Sequence, residues 1–117
     1  MITRSKLAEI DQVGTTRARQ VMDAACSEKD FEAAVVEYAH FHGWLVYHPW
    51  SSLHSEAGWP DLAMVRNGQM VAAECKRQHG KMTRAQQIWL DVLATVPGIM
   101  AVCWRPSNWD EIEEVLR

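Results

Sequence analysis

The stretch Asp61-Leu62-Ala63-Met64-Val65-Arg66-Asn67-Gly68-Gln69-Met70-Val71-Ala72-Ala73-Glu74-Cys75-Lys76 decides how the rest of the chain is read. Its ends are apolar with interspersed charge, and its middle is Asn67-Gly68, the pair best suited to a type I′ turn because both residues tolerate positive φ. A two-residue turn there sets Arg66 opposite Gln69, and stepping outward sets Val65 opposite Met70, Met64 opposite Val71, Ala63 opposite Ala72 and Leu62 opposite Ala73. The next pair is Asp61 and Glu74. Opposed residues share one face of a sheet, and by alternation this is a non-hydrogen-bonded pair with Cα atoms ~4.5 Å apart. Lys76, two residues beyond Glu74, projects from the same face.

Like charges set opposite each other across a sheet are destabilising. Water or a cation can keep such a pair ionised. Two carboxylates at this separation suit a hard divalent ion such as Mg²⁺, which takes one or two carboxylates together with waters and phosphate oxygens. Read without any site, the same pattern is a solvated hairpin, and one bulge would break the register.

Before the hairpin, Ser27 is placed as an N-cap, with Glu28 and Asp30 in the first turn and Gly43 ending a helix at about His42. The expected apolar stripe is Phe31, Ala34, Val35, Tyr38 and Phe41. Glu32 lies at the stripe's edge between Ala39 and Val36, whereas Glu37 is nearer solvent, so Glu32 is the acid to look into a site. Trp44 to His48 reads as a short strand stopped at Pro49, followed by a loop over residues 49–60 in which Pro60 holds the chain extended before Asp61. After the hairpin comes a loop, then Thr83 as an N-cap and a helix with Ala85, Ile88, Trp89, Val92 and Leu93 at helical spacing. Ile99 to Trp104 is a continuous apolar run read as a buried strand. Beyond Pro106, Ser107 or Asn108 caps a short acidic helix ending at Leu116. Residues 1–26 form a weakly helical N-terminal arm broken at Gly14, and residues 27–117 form the main domain.

At 117 residues and 48% hydrophobic content, the chain fits one domain with its own core. The net charge of −3 means that any nucleic-acid contact must come from a local patch. Lys76, Arg77, Lys81 and Arg84 supply one: four cations in nine residues, with no acid among them, directly after the acidic pair. A metal site beside a basic loop suits a phosphodiester. The three cysteines, Cys26, Cys75 and Cys103, have no CxxC spacing and point to neither a disulfide framework nor a zinc site; Cys75 and Cys103 read as reduced core residues. His40 and His42 do not share a helix face, and His48 and His54 flank a loop without soft ligands. Trp89 and Trp104 read as core. Trp50 and Trp59 could stack bases or pack the loop, and His54, Ser55 and Glu56 stand next to the following motif. The sequence begins without a signal peptide and no apolar run reaches the ~20 residues of a membrane span, which points to an intracellular, cytoplasmic protein with no membrane partner.

Gly58-Trp59-Pro60-Asp61-Leu62, Glu74-Cys75-Lys76, Thr83-Arg84-Ala85-Gln86-Gln87-Ile88-Trp89 and Trp104-Arg105-Pro106 together resemble the virus-type replication-repair nuclease (VRR-NUC) domain of the PD-(D/E)XK nuclease superfamily. A lone Glu-x-Lys carries little weight. Pro-Asp, then Glu-x-Lys beginning thirteen positions after the aspartate, and then a glutamine within a helix is far more specific. The resemblance covers residues 27–117 and implies an α/β fold: a restriction-endonuclease-like αβββαβ core with a mixed central sheet flanked by helices, plus N- and C-terminal helices. By the same resemblance, Asp61, Glu74 and the Cys75 backbone carbonyl would bind Mg²⁺ or Mn²⁺. Lys76 would orient or help deprotonate the attacking water, or stabilise charge in the transition state. Gln86 would approach from the second helix, and Glu32 would act on the metal through water.

The implied activity is metal-dependent endonucleolytic hydrolysis of DNA in replication, repair and recombination. Small phage or bacterial members of the family suggest a homodimer acting on branched DNA such as a Holliday junction. A nucleic-acid-binding module without catalysis is the alternative from another class, and the presence of Asp61, Glu74, Lys76 and Gln86 together counts against it. A restriction-type enzyme on the same fold would need a larger recognition region.

Overall fold

The computed structural model describes residues 17–49 and 56–117. Residues 17–25 are helical (α1). They are followed by α2 (Glu28–Phe41), β1 (Leu45–Tyr47), β2 (Leu62–Arg66), β3 (Gln69–Cys75), α3 (Arg84–Leu93), β4 (Ile99–Trp104), a single 3₁₀ turn (Pro106–Asn108) and α4 (Trp109–Leu116). The chain is thus α/β, with a mixed open sheet in the order β1-β2-β3-β4. The first three strands are antiparallel, and β4 joins β3 in parallel.

The hairpin register is the one expected: Leu62 pairs with Ala73, Met64 with Val71 and Arg66 with Gln69. Asn67 at φ 50° and Gly68 at φ 77° make the turn, which requires positive φ at both positions. This register decides which face each strand residue occupies. Leu62, Met64, Val71, Ala73, Cys75 and Trp104 point to one side, where they pack with Phe31, Val35 and Ala39 of α2, Trp44, and Ile112 and Leu116 of α4. The opposite side holds Asp61, Glu74 and Lys76, with α3 over the β3–β4 half.

Helix α2 begins at Ser27, whose hydroxyl accepts the Asp30 N–H at 3.1 Å. Its buried stripe differs from expectation: Ala39 lies in the core, while Ala34 is exposed and Phe41 is 84% exposed. The chain turns at Gly43 so that Trp44 fills the space at the helix end instead, its indole N–H donating to Leu116 O at 2.8 Å. The Arg66 guanidinium closes this corner. It lies 4.4 Å from the Trp44 ring centre and donates to His42 O at 2.8 Å and Leu116 O at 3.1 Å, bringing a cation to the C-terminal ends of α2 and α4.

Two other expectations are corrected. Among the described residues β4 is an edge strand, paired with β3 alone, and of its residues only Trp104 is fully buried, so Cys103 is a partly exposed residue rather than part of the core. In α3 the buried residue is Leu90, whereas Ile88 and Val92 are exposed, because a single helix covers only part of this side of the sheet. Leu45, Tyr47 and Val65, on the uncovered β1–β2 half of the same side, are exposed as well. Among the described residues, no helix is long and apolar enough to cross a membrane.

Candidate metal and phosphate site

The end of the hairpin opposite its turn brings Asp61, Glu74 and Lys76 together as the register requires. β2 begins only at Leu62, and just before it the Asp61 carboxylate replaces a strand partner: Oδ2 accepts the Cys75 N–H at 2.9 Å. The Glu74 side chain is only 2% exposed. Its Oε1 accepts from Gln86 Nε2 at 3.0 Å and lies 3.6 Å from Lys76 Nζ, while Oε2 is buried without a hydrogen-bond partner among the described residues. Burial and, secondly, the neighbouring Asp61 charge push the Glu74 carboxyl up to about 8, with Lys76 only partly offsetting them.

An orphaned buried carboxylate oxygen beside a second carboxylate is what a cation would correct. The donor set is hard oxygen, which fits Mg²⁺ or Mn²⁺ rather than zinc. Among the described residues no three His, Cys, Asp or Glu side chains gather as a metal cage; the two carboxylates that meet here are those of Asp61 and Glu74. The Cys75 thiol lies in the core on the other side of the sheet, and burial raises its pKa and keeps it protonated; only its main-chain carbonyl is available as a donor.

Gln86 reaches Glu74 because of how α3 starts. Thr83 Oγ1 accepts the Gln86 N–H at 3.1 Å, and Gln86 Oε1 accepts the Thr83 N–H at 2.9 Å, a capping box legible in Thr-x-x-Gln. The Thr83 N–H can only donate, so the amide oxygen must face it and the NH₂ group must face Glu74. Gln87 points elsewhere, to Asp91 Oδ1 at 2.8 Å.

Gly58 fixes the loop before Asp61 against α3. Its φ is +87°, and a Cβ there would lie 2.5 Å from the Ala85 carbonyl carbon. Trp59 packs edge-on against Trp89, with ring centres 5.0 Å apart, and the Trp89 indole donates to Ala57 O at 3.0 Å. Trp59 therefore packs the loop, and Trp89 is a half-buried anchor rather than a core residue. Trp50, Ser51, Ser52, His54 and Ser55 lie outside the described residues, so the readings of Trp50 and His54 lie there too.

Glu32 comes near from α2. Burial, and then the Asp61 charge, raise its pKa. Its Oε1 contacts Nε2 of His48, a partner that the spacing of the histidines does not indicate; the available signal is an acid at the edge of a helix stripe and a histidine at the end of the next strand.

The basic cluster divides in two. Lys76 is 9% exposed and belongs with the acids, whereas Arg77, Lys81 and Arg84 face solvent. The loop carrying them is braced by Arg105, which donates to Arg77 O at 2.9 Å and Gly80 O at 2.6 Å. Gln78 adds a two-point bond to Ser107, through its hydroxyl at 2.9 Å and its N–H at 3.0 Å.

Comparison of the chain with protein-family models, with curated proteins and with solved structures finds no match.

Proposed function

We propose that this chain is a divalent-metal-dependent DNA endonuclease with a VRR-NUC-type active site on a PD-(D/E)XK core. The observation that carries the reading is the pairing of half-buried Asp61 with buried Glu74, one of whose oxygens is unpartnered among the described residues, set beside Lys76 and Gln86 on one side of the sheet. The helix-strand-strand-strand-helix-strand order from α2 to β4 supports it, as does the exposed basic loop that follows the site.

Asp61, Glu74 and the Cys75 carbonyl would hold Mg²⁺ or Mn²⁺. When bound, the ion supplies charge neutralisation at the phosphate and makes water acidic enough to attack at neutral pH. Lys76 Nζ orients the attacking water and meets negative charge developing on the phosphoryl oxygens. Gln86 holds the Glu74 carboxylate in one orientation, and Glu32 acts through water. Arg77, Lys81 and Arg84 hold the DNA backbone without reading its bases. A homodimer acting on branched DNA belongs to the proposal: a two-fold axis presents two sites to two strands, and exposed Leu45, Tyr47 and Val65 offer a second copy an apolar surface to cover.

The test is a cleavage panel with Mg²⁺ or Mn²⁺ on linear duplex, single strand, flap and four-way junction. The expected result is cutting by the wild type, strongest on the junction, and none by Asp61→Ala or Lys76→Ala. Binding without cutting under either metal would favour the non-catalytic module. Cutting that survives both substitutions would remove the site.

A further inference from the structure

His48 directly follows β1, and its side chain is 54% exposed, against 17% for its partner Glu32. Its Nδ1 lies 3.0 Å from the Pro49 carbonyl oxygen. A carbonyl only accepts, so Nδ1 carries a proton, and Nε2 of the neutral ring is then an acceptor. Yet Nε2 meets Glu32 Oε1, a buried oxygen with no other partner among the described residues. His48 is thus the one described group that reaches this oxygen of Glu32.

The location gives this pair a use. The imidazole stands between two depressions. One, of about 200 Å³, is also lined by Glu56, Asp61 and Gln86. The other, of about 510 Å³, runs along α2 past Lys29, Glu37 and His40. The ring thus separates the proposed metal site from the outer surface of α2.

We propose that His48 is a positioning residue of the site, holding the Glu32 carboxyl beside Asp61 through its Nε2–Oε1 contact. The inference rests on the nuclease reading. Without the ring, Glu32 Oε1 would be a buried oxygen with nothing to bond, and the side chain would turn away or leave an uncompensated charge beside two further acids. With it, the Glu32 carboxyl is held in one orientation, with its second oxygen left to bind water.

The experiment compares wild type, His48→Ala, His48→Gln, Glu32→Gln and the double variant Glu32→Gln/His48→Ala for kcat and KM on the best-cut DNA with Mg²⁺. His48→Ala is expected to lower kcat by about 10–100-fold with KM little changed, the size typical of losing a residue that orients a metal-site group. His48→Gln should restore most of the rate, because its amide can donate to the same oxygen. The double variant should be no slower than Glu32→Gln alone. A His48→Ala enzyme as fast as wild type, or losses that multiply in the double variant, overturns the proposal and leaves the nuclease reading intact. A wild type that cuts nothing overturns both. If His48→Ala does not fold, long-range ¹H–¹⁵N spectra of the wild type and Glu32→Gln decide. A change in the His48 ring nitrogens on losing the acid supports the pair, and unchanged signals overturn it.

Discussion

Gln86 donates its side-chain amide to Glu74 Oε1 at 3.0 Å while its own carbonyl oxygen is held at 2.9 Å by the Thr83 N–H. One residue thus closes the first turn of α3 and fixes a carboxylate on β3. Gln86→Glu separates these two roles. Glutamate serves a capping box as well as glutamine does, so the helix start should survive. Its carboxylate cannot donate to Glu74 and adds a third acid to the site. The expected outcome is cleavage reduced by about 100-fold or more, the size associated with removing a positioned electrostatic group, with α3 intact by circular dichroism. Thr83→Ala should show the converse: a stability loss of about 1 kcal/mol and a smaller loss of rate.

The elevated Glu74 carboxyl makes stability depend on pH in a definite direction. Its folded value, about 8, lies above its ordinary 4.5, so between these pH values the folded chain binds more protons than the unfolded one. Stability contributed by this group is fully present below 4.5 and is lost as pH rises towards 8. Glu32 is raised as well and acts in the same direction. Without divalent metal, Tm should therefore fall from pH 5 to pH 8. Mg²⁺ or Mn²⁺ should restore it, most strongly at the alkaline end, where the carboxylates are free to bind. Glu74→Gln should flatten most of the slope and abolish the metal effect. A Tm that rises over this range in the absence of metal would contradict the burial of Glu74.

Gly58 and Gly68 both have positive φ but differ in what surrounds them. A Cβ on Gly68 meets nothing within 4 Å, whereas one on Gly58 runs into the Ala85 backbone. Gly68→Ala should cost about 1 kcal/mol of backbone strain and leave cleavage unchanged. Gly58→Ala should cost more and should also lower activity, because Ala85 belongs to the first turn that carries Gln86. Thermal melts and cleavage rates of the two variants, measured side by side, check this.

The hairpin was legible because a type I′ turn dictates register, and register dictates which acids meet. The coarse α/β class followed from the alternation of helical and strand spacing. Burial was harder to read. Phe41 and Ala39 both suit the edge of an apolar stripe, and the choice between them depends on Gly43 swinging Trp44 into the space. The apolar positions of α3 predict a buried helix, but the sheet beneath offers only its β3–β4 half, leaving Ile88 and Val92 uncovered. Lys76 was legible as the neighbour of the two acids, because the period-two alternation past Glu74 puts it on their face, but its near-complete burial was not. The Glu32–His48 contact joins consecutive elements, α2 and the end of β1, but the helix stripe and the strand each place one residue without showing that the two side chains meet.

The exposed cations should govern how DNA binding responds to salt. Each phosphate contact removed lowers the slope of log K against log salt by about 0.9 for duplex DNA. Lys81→Ala and Arg84→Ala should each weaken binding to every DNA by a similar factor and lower that slope by about 1, without changing which structure is preferred. Arg105→Ala should behave differently. Its guanidinium is committed to the carbonyls of Arg77, Gln78 and Gly80, so its loss frees the loop rather than removing a phosphate contact. Binding should weaken with the salt slope nearly unchanged, and proteolysis within residues 77–82 should quicken. Fluorescence anisotropy at several salt concentrations, with Ca²⁺ replacing Mg²⁺ to suppress cutting, separates the two classes. A full unit lost from the slope in Arg105→Ala would mean that this arginine, too, reaches the DNA backbone.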